Sequence, residues 1–230
     1  SFTLPTSELR EFVAFENDYY KVEISDESVT KIVNQNLHAL SPKDIVIITH
    51  PDFRVYAEEL AEIHETHDNL SSLIVEPQQI YNEFSSGKPD VSAIRNFLKM
   101  FYDRAANENE IPKYLILFGD GSYDNKTIST SNTNYIITFQ SNNSLNGTIS
   151  FTSDDFFGLL DNDEGADIGS YDLTGALDIG IGRLPVQNTS EAQIVVDKIR
   201  SYIENKTPGD WQNMIDRKST RLNSSHFVPS

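Results

Sequence analysis

The stretch PKYLILFGDGSYDNK, residues 112–126, decides how the rest of the chain is read. Tyr114 to Phe118 form an unbroken apolar run between a proline and a Gly-Asp-Gly turn, the pattern of a strand buried on both faces of a parallel sheet. In an open α/β sheet, ligands collect outside the carboxyl ends of such strands, and that end here carries Gly119, Asp120, Gly121, Ser122 and Asp124. A tight turn explains the same residues, with the glycines supplying positive φ and Asp120 capping backbone amides.

Upstream, DIVIIT at 44–49 is another buried run, and residues 53–67 repeat apolar side chains at helical spacing through Phe53, Tyr56, Ala57, Leu60, Ala61 and His64. A strand is predicted at 72–76 around Leu73 to Val75, with Pro77 at a turn. A helix is predicted at 90–106, with Val91, Ile94, Phe97, Leu98 and Phe101 on one face and Asp90 as N-cap. The order is βαβαβ, which implies parallel pairing and right-handed crossovers. Residues 1–24 alternate apolar and polar side chains, as in the end of a β-rich domain or a connector, and 25–43 read as irregular backbone containing NQNLHAL.

Downstream come two polar stretches, TISTSNTN and SNNSLNGT, either side of a strand candidate, YIITFQ at 135–140, which together suit a loop or hairpin. Residues 156–160 and 176–184 are strand-like and flank an acidic, glycine-containing loop; 177–184 is expected to be the fourth parallel core strand. Helical spacing returns over 190–205, and Pro208 and Gly209 end it. The expected organisation is therefore 1–24 as connector, 25–126 as a first α/β subdomain, 127–216 as its remainder and the opening of the next, and 217–230 as a separate tail.

Composition sets the outer limits. With 230 residues, 38% hydrophobic and 23% charged, the chain can bury one good core or one core plus a fragment of another. A net charge of -17 argues against nucleic acid or anionic membrane as partner and leaves divalent cations as better candidates. There is no cysteine, so no disulfide, thiolate metal site or cysteine nucleophile lies within these residues. No apolar run approaches a membrane span, and SFTLPTSELREF at the start lacks a basic-then-apolar signal pattern. Ser1 stands where no initiator methionine is present, so the natural start is expected elsewhere.

If 156–160 and 176–184 pair as a hairpin, Asp161 leaves one strand and Asp178 enters the other, with Asp163 in the loop between them. Alternating acids around glycine suit a hard cation such as calcium, although the EF-hand pattern fails, since its twelfth position is Asp172 and Ile168 fills a slot usually polar. A solvated acidic loop accounts for the same residues. His50 follows the first strand and could act as a base or simply belong to a His-Pro turn. His38 has no companion at ligand spacing, and His64 with His67 suits a solvated helix face as well as a metal. Gly180 and Gly182 alternate within a strand, which predicts close packing against another backbone. No nucleophile, base and oxyanion hole assemble from these residues.

NQNLHAL at 34–40, IYNEFSSGKPDVSAIRNFLKMFYDRA at 80–105, KYLILFGDGSYDNK at 113–126, TSDDFFGLLD at 152–161 and LDIGIGRLPVQNTSEAQIVVDKIRSYI at 177–203 together resemble the gingipain family of cysteine peptidases, and within it the sortases of the type IX secretion system, cell-surface proteins of Bacteroidota. The resemblance implies a caspase-like, three-layer α/β fold, a mostly parallel sheet flanked by helices, incomplete at its C-terminus in this chain. It implies a His-Cys dyad, with both residues downstream of this sequence, so no catalytic residue is assigned here and these residues alone are expected to be inactive. It further implies as partners secreted cargo proteins with C-terminal signal domains and other type IX components, with cleavage of the signal and transfer of the new carboxyl end to an anionic lipopolysaccharide. A structural calcium is implied at Asp120, Asp161, Asp163 and Asp178, while Asp154 and Asp155 match an S-D motif that suits capping or hydrogen bonding as well as ligation. A calcium-stabilised surface module that binds without chemistry, and a metal-dependent phosphohydrolase using Asp120, are the alternatives; the latter lacks a basic phosphate clamp. RKSTRLNSSHFVPS at 217–230 departs from the family and reads as a translated adapter or assembly scar, so His226 is set aside.

Overall fold

The computed structural model describes residues 32–125, 133–141, 146–166, 173–204 and 209. The expectations for 1–24 and 217–230 lie outside the described residues. The chain divides into two units, Ser1–Gln35 and Asn36–Ser230. Of the first, only 32–35 are described, and they carry no regular element.

The second unit is built on four parallel strands, β1 (Ile45–Thr49), β2 (Ser72–Val75), β3 (Tyr114–Phe118) and the strand Gly180–Leu184, in the order β2, β1, β3, Gly180–Leu184. Each was expected from the sequence, with ends shifted by at most three residues. The central strands are apolar at every position but Thr49 and the exposed Tyr114 because both faces are covered. Val46, Ile48, Leu115 and Leu117 pack on one side with Phe97, Leu98 and Phe101, while Ile45, Ile47 and Phe118 pack on the other with Leu60, Ala61 and Val196. The two faces are covered by α1 (Arg54–His67) together with the helix Thr189–Ile203 on one side, and by α2 (Pro77–Phe84) with α3 (Val91–Arg104) on the other. This is the expected three-layer α/β arrangement. Among the described residues no helix is long and apolar enough to cross a membrane.

Helix α2 was not anticipated, since Pro77 was read as a turn. Pro77 instead occupies the first helical position, where its missing N–H costs nothing, and Gln79 Oε1 accepts the Glu76 amide at 2.9 Å. Asp90 caps α3 as expected, accepting the Ser92 amide at 2.8 Å.

Among the described residues, the segment between β3 and the fourth core strand holds only two-residue strands. β4 (Phe139–Gln140) pairs antiparallel with β5 (Thr152–Ser153), so YIITFQ is strand only at its end; Ile136 and Ile137 are nevertheless buried in the core. β6 (Gly165–Ala166) pairs with β7 (Leu173–Thr174), and the core strand that follows, Gly180–Leu184, is β8, leading into α4, Thr189–Ile203.

The expected hairpin of 156–160 with 176–184 does not form. Asp155–Gly158 is a 3-10 turn, and β8 gives its hydrogen bonds to β3. The reason is burial on both sides of the segment: Phe156 and Phe157 are adjacent and both enter the core, which a half-buried hairpin strand would not allow. The two segments still touch, with the Asp178 amide donating to Gly158 O at 3.0 Å, and a Cβ on Gly158 would lie 2.7 Å from Ile181 Cδ1. Gly180 packs against the Tyr114 ring, with the backbone Lys113 O next, 3.6 Å from where a Cβ would stand, whereas Gly182 faces open space, so the close backbone approach expected of both glycines is absent at Gly182 and secondary to the ring at Gly180.

Candidate functional site at the carboxyl end of the sheet

Strand order places β2 and β3 on opposite sides of β1, so the topological switch lies between the carboxyl ends of β1 and β3. His50 leaves β1 there, and Gly119, Asp120 and Gly121 leave β3. The crevice is filled by Tyr135, whose ring meets His50 at 4.7 Å and Phe53 at 4.9 Å between centroids and whose hydroxyl donates to Gln187 O at 2.9 Å. His50 Nδ1 accepts the Asp52 amide and so caps the turn into α1.

Asp120 is half-buried and gathers donors from three directions. Its carboxylate accepts the Gly121 amide at 2.9 Å, the Thr133 hydroxyl at 2.7 Å and the Gln187 side-chain amide at 2.8 Å. Its own amide donates to Val186 O, and its carbonyl accepts from Tyr135 and Ile136, so one residue ties the end of β3 to both flanking segments.

Beside it runs a guanidinium that was not singled out in the sequence. Arg183 of β8 pairs with Asp154 through Nε and Nη2, each at 2.7 Å, and donates Nη1 to Gly119 O and Ile136 O at 3.0 Å. Its side chain is 13% exposed and that of Asp154 22%, so the ion pair is largely withdrawn from water. A Cβ on Gly121 would stand 2.9 Å from Ile136 O and 3.0 Å from Arg183 Nη1, which explains glycine there. The signal that could have found Arg183 is a lone charge within the otherwise uncharged IGIGRLPV: a cation in a core strand demands a carboxylate partner. Asp154 is that partner, which gives the S-D motif an ion-pairing role; Asp155 is exposed and opens the 3-10 turn.

The other expected metal residues lie elsewhere. Asp161 and Asp178 sit near the amino end of β8, and the register sets Asp178 about eight residues from Asp120 along the strand direction, on the order of 25 Å. Asp161 Oδ1 accepts the Tyr102 hydroxyl at 2.8 Å, and Asp178 Oδ2 accepts the Leu160 amide at 2.8 Å. The bond to Asp161, with burial and the nearby Asp178 charge, pushes the Tyr102 phenol up to about 12. Asp163 is exposed in the turn after Asp161. The structure therefore brings Asp161 and Asp178 to one phenol and leaves Asp120 apart. Because Asp120 lies past the carboxyl end of β3 and Asp178 before the amino end of β8, the two cannot reach one cation, so the four aspartates do not fit a single shared calcium.

Two of the remaining histidines have local partners. His38 pairs with Glu83 at 2.7 Å and stacks on Phe84; His64 pairs with Asp68 at 2.7 Å; His67 ends α1. Within NQNLHAL, Leu37 is buried and its amide donates to Glu83, which anchors that segment to α2.

Comparison with known proteins adds the family. Residues 38–219 match Peptidase family C25. The dimeric latent PorU from Porphyromonas gingivalis, a crystal structure, is similar at 33% identity and a TM-score of 0.66, over 84% of this chain and 19% of that one. This chain thus spans about a fifth of the length of that relative. No curated protein matches.

Proposed function

Because the chain belongs to Peptidase family C25, the gingipain family, we propose that its α/β unit is the leading part of the catalytic region of a type IX secretion sortase, which removes C-terminal signals from secreted cargo at the cell surface. What carries this reading is the likeness to PorU in sequence and fold together, over 84% of this chain. Its partners are then cargo proteins with C-terminal signal domains and the other type IX components, and the acceptor for the released carboxyl end is an anionic lipopolysaccharide.

In this reading a thiolate attacks the scissile carbonyl, an imidazole transfers the proton to the leaving amine, and both groups come from outside these 230 residues, which contain no cysteine. The part played by this unit is positional. It supplies a rigid parallel sheet whose carboxyl end, fixed by Asp120, Arg183 and Tyr135, faces the side where α/β enzymes place their chemistry.

The test is the natural reading frame, expressed whole beside the present 230 residues. The whole protein is expected to contain a cysteine and a histidine in a Gly-His-Gly type setting, to react with a thiol-directed probe, and to cleave a cargo C-terminal signal. The 230 residues alone are expected to do neither. A whole protein without a cysteine, or reproducible peptide cleavage by the 230 residues after repeated purification, would overturn the proposal.

A further inference from the structure

The acidic turn after the 3-10 segment Asp155–Gly158 presents main-chain carbonyls of the kind a calcium-binding loop uses, and side chains of α3 take them. Arg95 donates Nε to Leu159 O at 2.5 Å and Nη2 to Asp161 O at 2.9 Å and Glu164 O at 3.2 Å. One turn further along α3, Lys99 Nζ donates to Leu160 O at 2.6 Å. Four carbonyls of a six-residue segment are thus collected by two cations on one helix face. Arg95 also lies over the Phe156 ring, 5.8 Å from its centroid, which fixes the guanidinium against the core.

The carboxylates that a metal would need are satisfied in the same way. Asp161 takes the Tyr102 hydroxyl, Asp178 takes the Leu160 amide, and Glu164 takes the Ala176 amide at 2.8 Å and the Asp161 amide at 3.3 Å. Each of these acids therefore already receives a donor, and two positive charges stand among them.

We propose that Arg95 and Lys99 do for residues 159–164 what a bound calcium would do, so that this chain reaches full stability and a fixed acidic turn without metal. The juxtaposition also accounts for a basic pair on α3 facing a helix-distant, acidic segment in a protein with a net charge of -17.

Thermal unfolding of the 230-residue chain in excess EDTA and in millimolar calcium chloride, with limited proteolysis mapped by mass spectrometry, tests the proposal. The melting temperatures in the two solutions are expected to agree within about 1 °C, whereas Arg95→Ala and Lys99→Met are each expected to lower Tm by more than about 2 °C and to open new cleavage within 159–166. A calcium-induced rise in Tm of more than about 3 °C in the parent would overturn it, as would unchanged Tm and cleavage in both variants. Should Arg95→Ala fail to fold, Lys99→Met and the parent with and without calcium still decide the outcome.

Discussion

Between Ile45 and Phe118, three strands and three helices are held mainly by apolar side chains, with Phe97, Leu98, Leu115 and Leu117 at 0% exposure. Among the described residues between Thr133 and Asp178 only two-residue strands occur, and their backbone is fixed largely by charged side chains reaching in from elsewhere: Arg183 from β8, and Arg95 and Lys99 from α3. The first region repays burial with periodic, self-consistent packing. The second has little repeating backbone hydrogen bonding, so its carbonyls need partners of another kind, and long cationic side chains supply them. Loss of a contact should therefore act differently in the two, as a cavity in one and as stranded polar groups in the other.

The largest effect is expected in the apolar region. Phe97 is fully buried between the rings of Phe84 and Phe101, at 5.7 and 5.3 Å, and Phe97→Ala removes packing on both while leaving a cavity against the sheet. Denaturant unfolding should show a loss of about 3–5 kcal/mol. A loss below about 1 kcal/mol would mean that this core can collapse around the gap and that the contrast between the regions is weaker than the packing implies.

Next in size is the polar clasp. Arg183→Met keeps the length of the side chain but strands the Asp154 carboxylate and frees Gly119 O and Ile136 O, with an expected cost of about 2–4 kcal/mol, below that of a fully buried pair because both groups keep some contact with water. Adding Asp154→Asn to Arg183→Met should recover part of the loss, since the unpaired charge goes with it. Additive losses in the double variant would show that the carbonyl contacts, and not the ion pair, do the holding.

The same division explains what could be read from the sequence. DIVIIT, YLILF and the spacing of Ile94, Phe97, Leu98 and Phe101 carry period-two, continuous or helical patterns, so the four core strands and three of the four long helices were legible. The missed α2 is eight residues long and announced only by its Pro77 and Gln79 start. FFGLL at 156–160 was misread because an apolar run looks alike in a strand and in a buried 3-10 turn. Asp120 was rightly placed at the carboxyl end of β3. Grouping it with Asp161 and Asp178 required distances that no linear pattern holds, and those depend on β8 pairing with β3 in place of the hairpin. Arg95, Lys99 and Tyr102 escaped notice because at helical spacing they read as an ordinary solvated face.

The smallest effect concerns a polar contact within the well-packed region itself. Asp44, at the amino end of β1, accepts Lys113 Nζ at 2.7 Å, the Ser71 hydroxyl at 2.7 Å and the Ser71 amide at 2.9 Å, and so ties the starts of β2 and β3 to β1. The Lys113 hydrogen bond, followed by those from Ser71, holds the Asp44 carboxyl well below the usual carboxylate range. A carboxyl whose pKa falls on folding stabilises the folded state fully above its unfolded pKa, about 4, and loses that contribution as the pH drops below it, because the unfolded chain takes up the proton first. Lys113 is 48% exposed, so solvent screening limits the contribution to about 1 kcal/mol. Asp44→Asn should therefore be less stable than the parent near neutral pH, and the gap should narrow steadily between about pH 5 and pH 2. Urea titrations of both proteins across that window measure the gap. Parallel stability curves would mean that Asp44 acts through hydrogen bonds that asparagine reproduces, and that charge adds nothing even where the apolar frame is firmest.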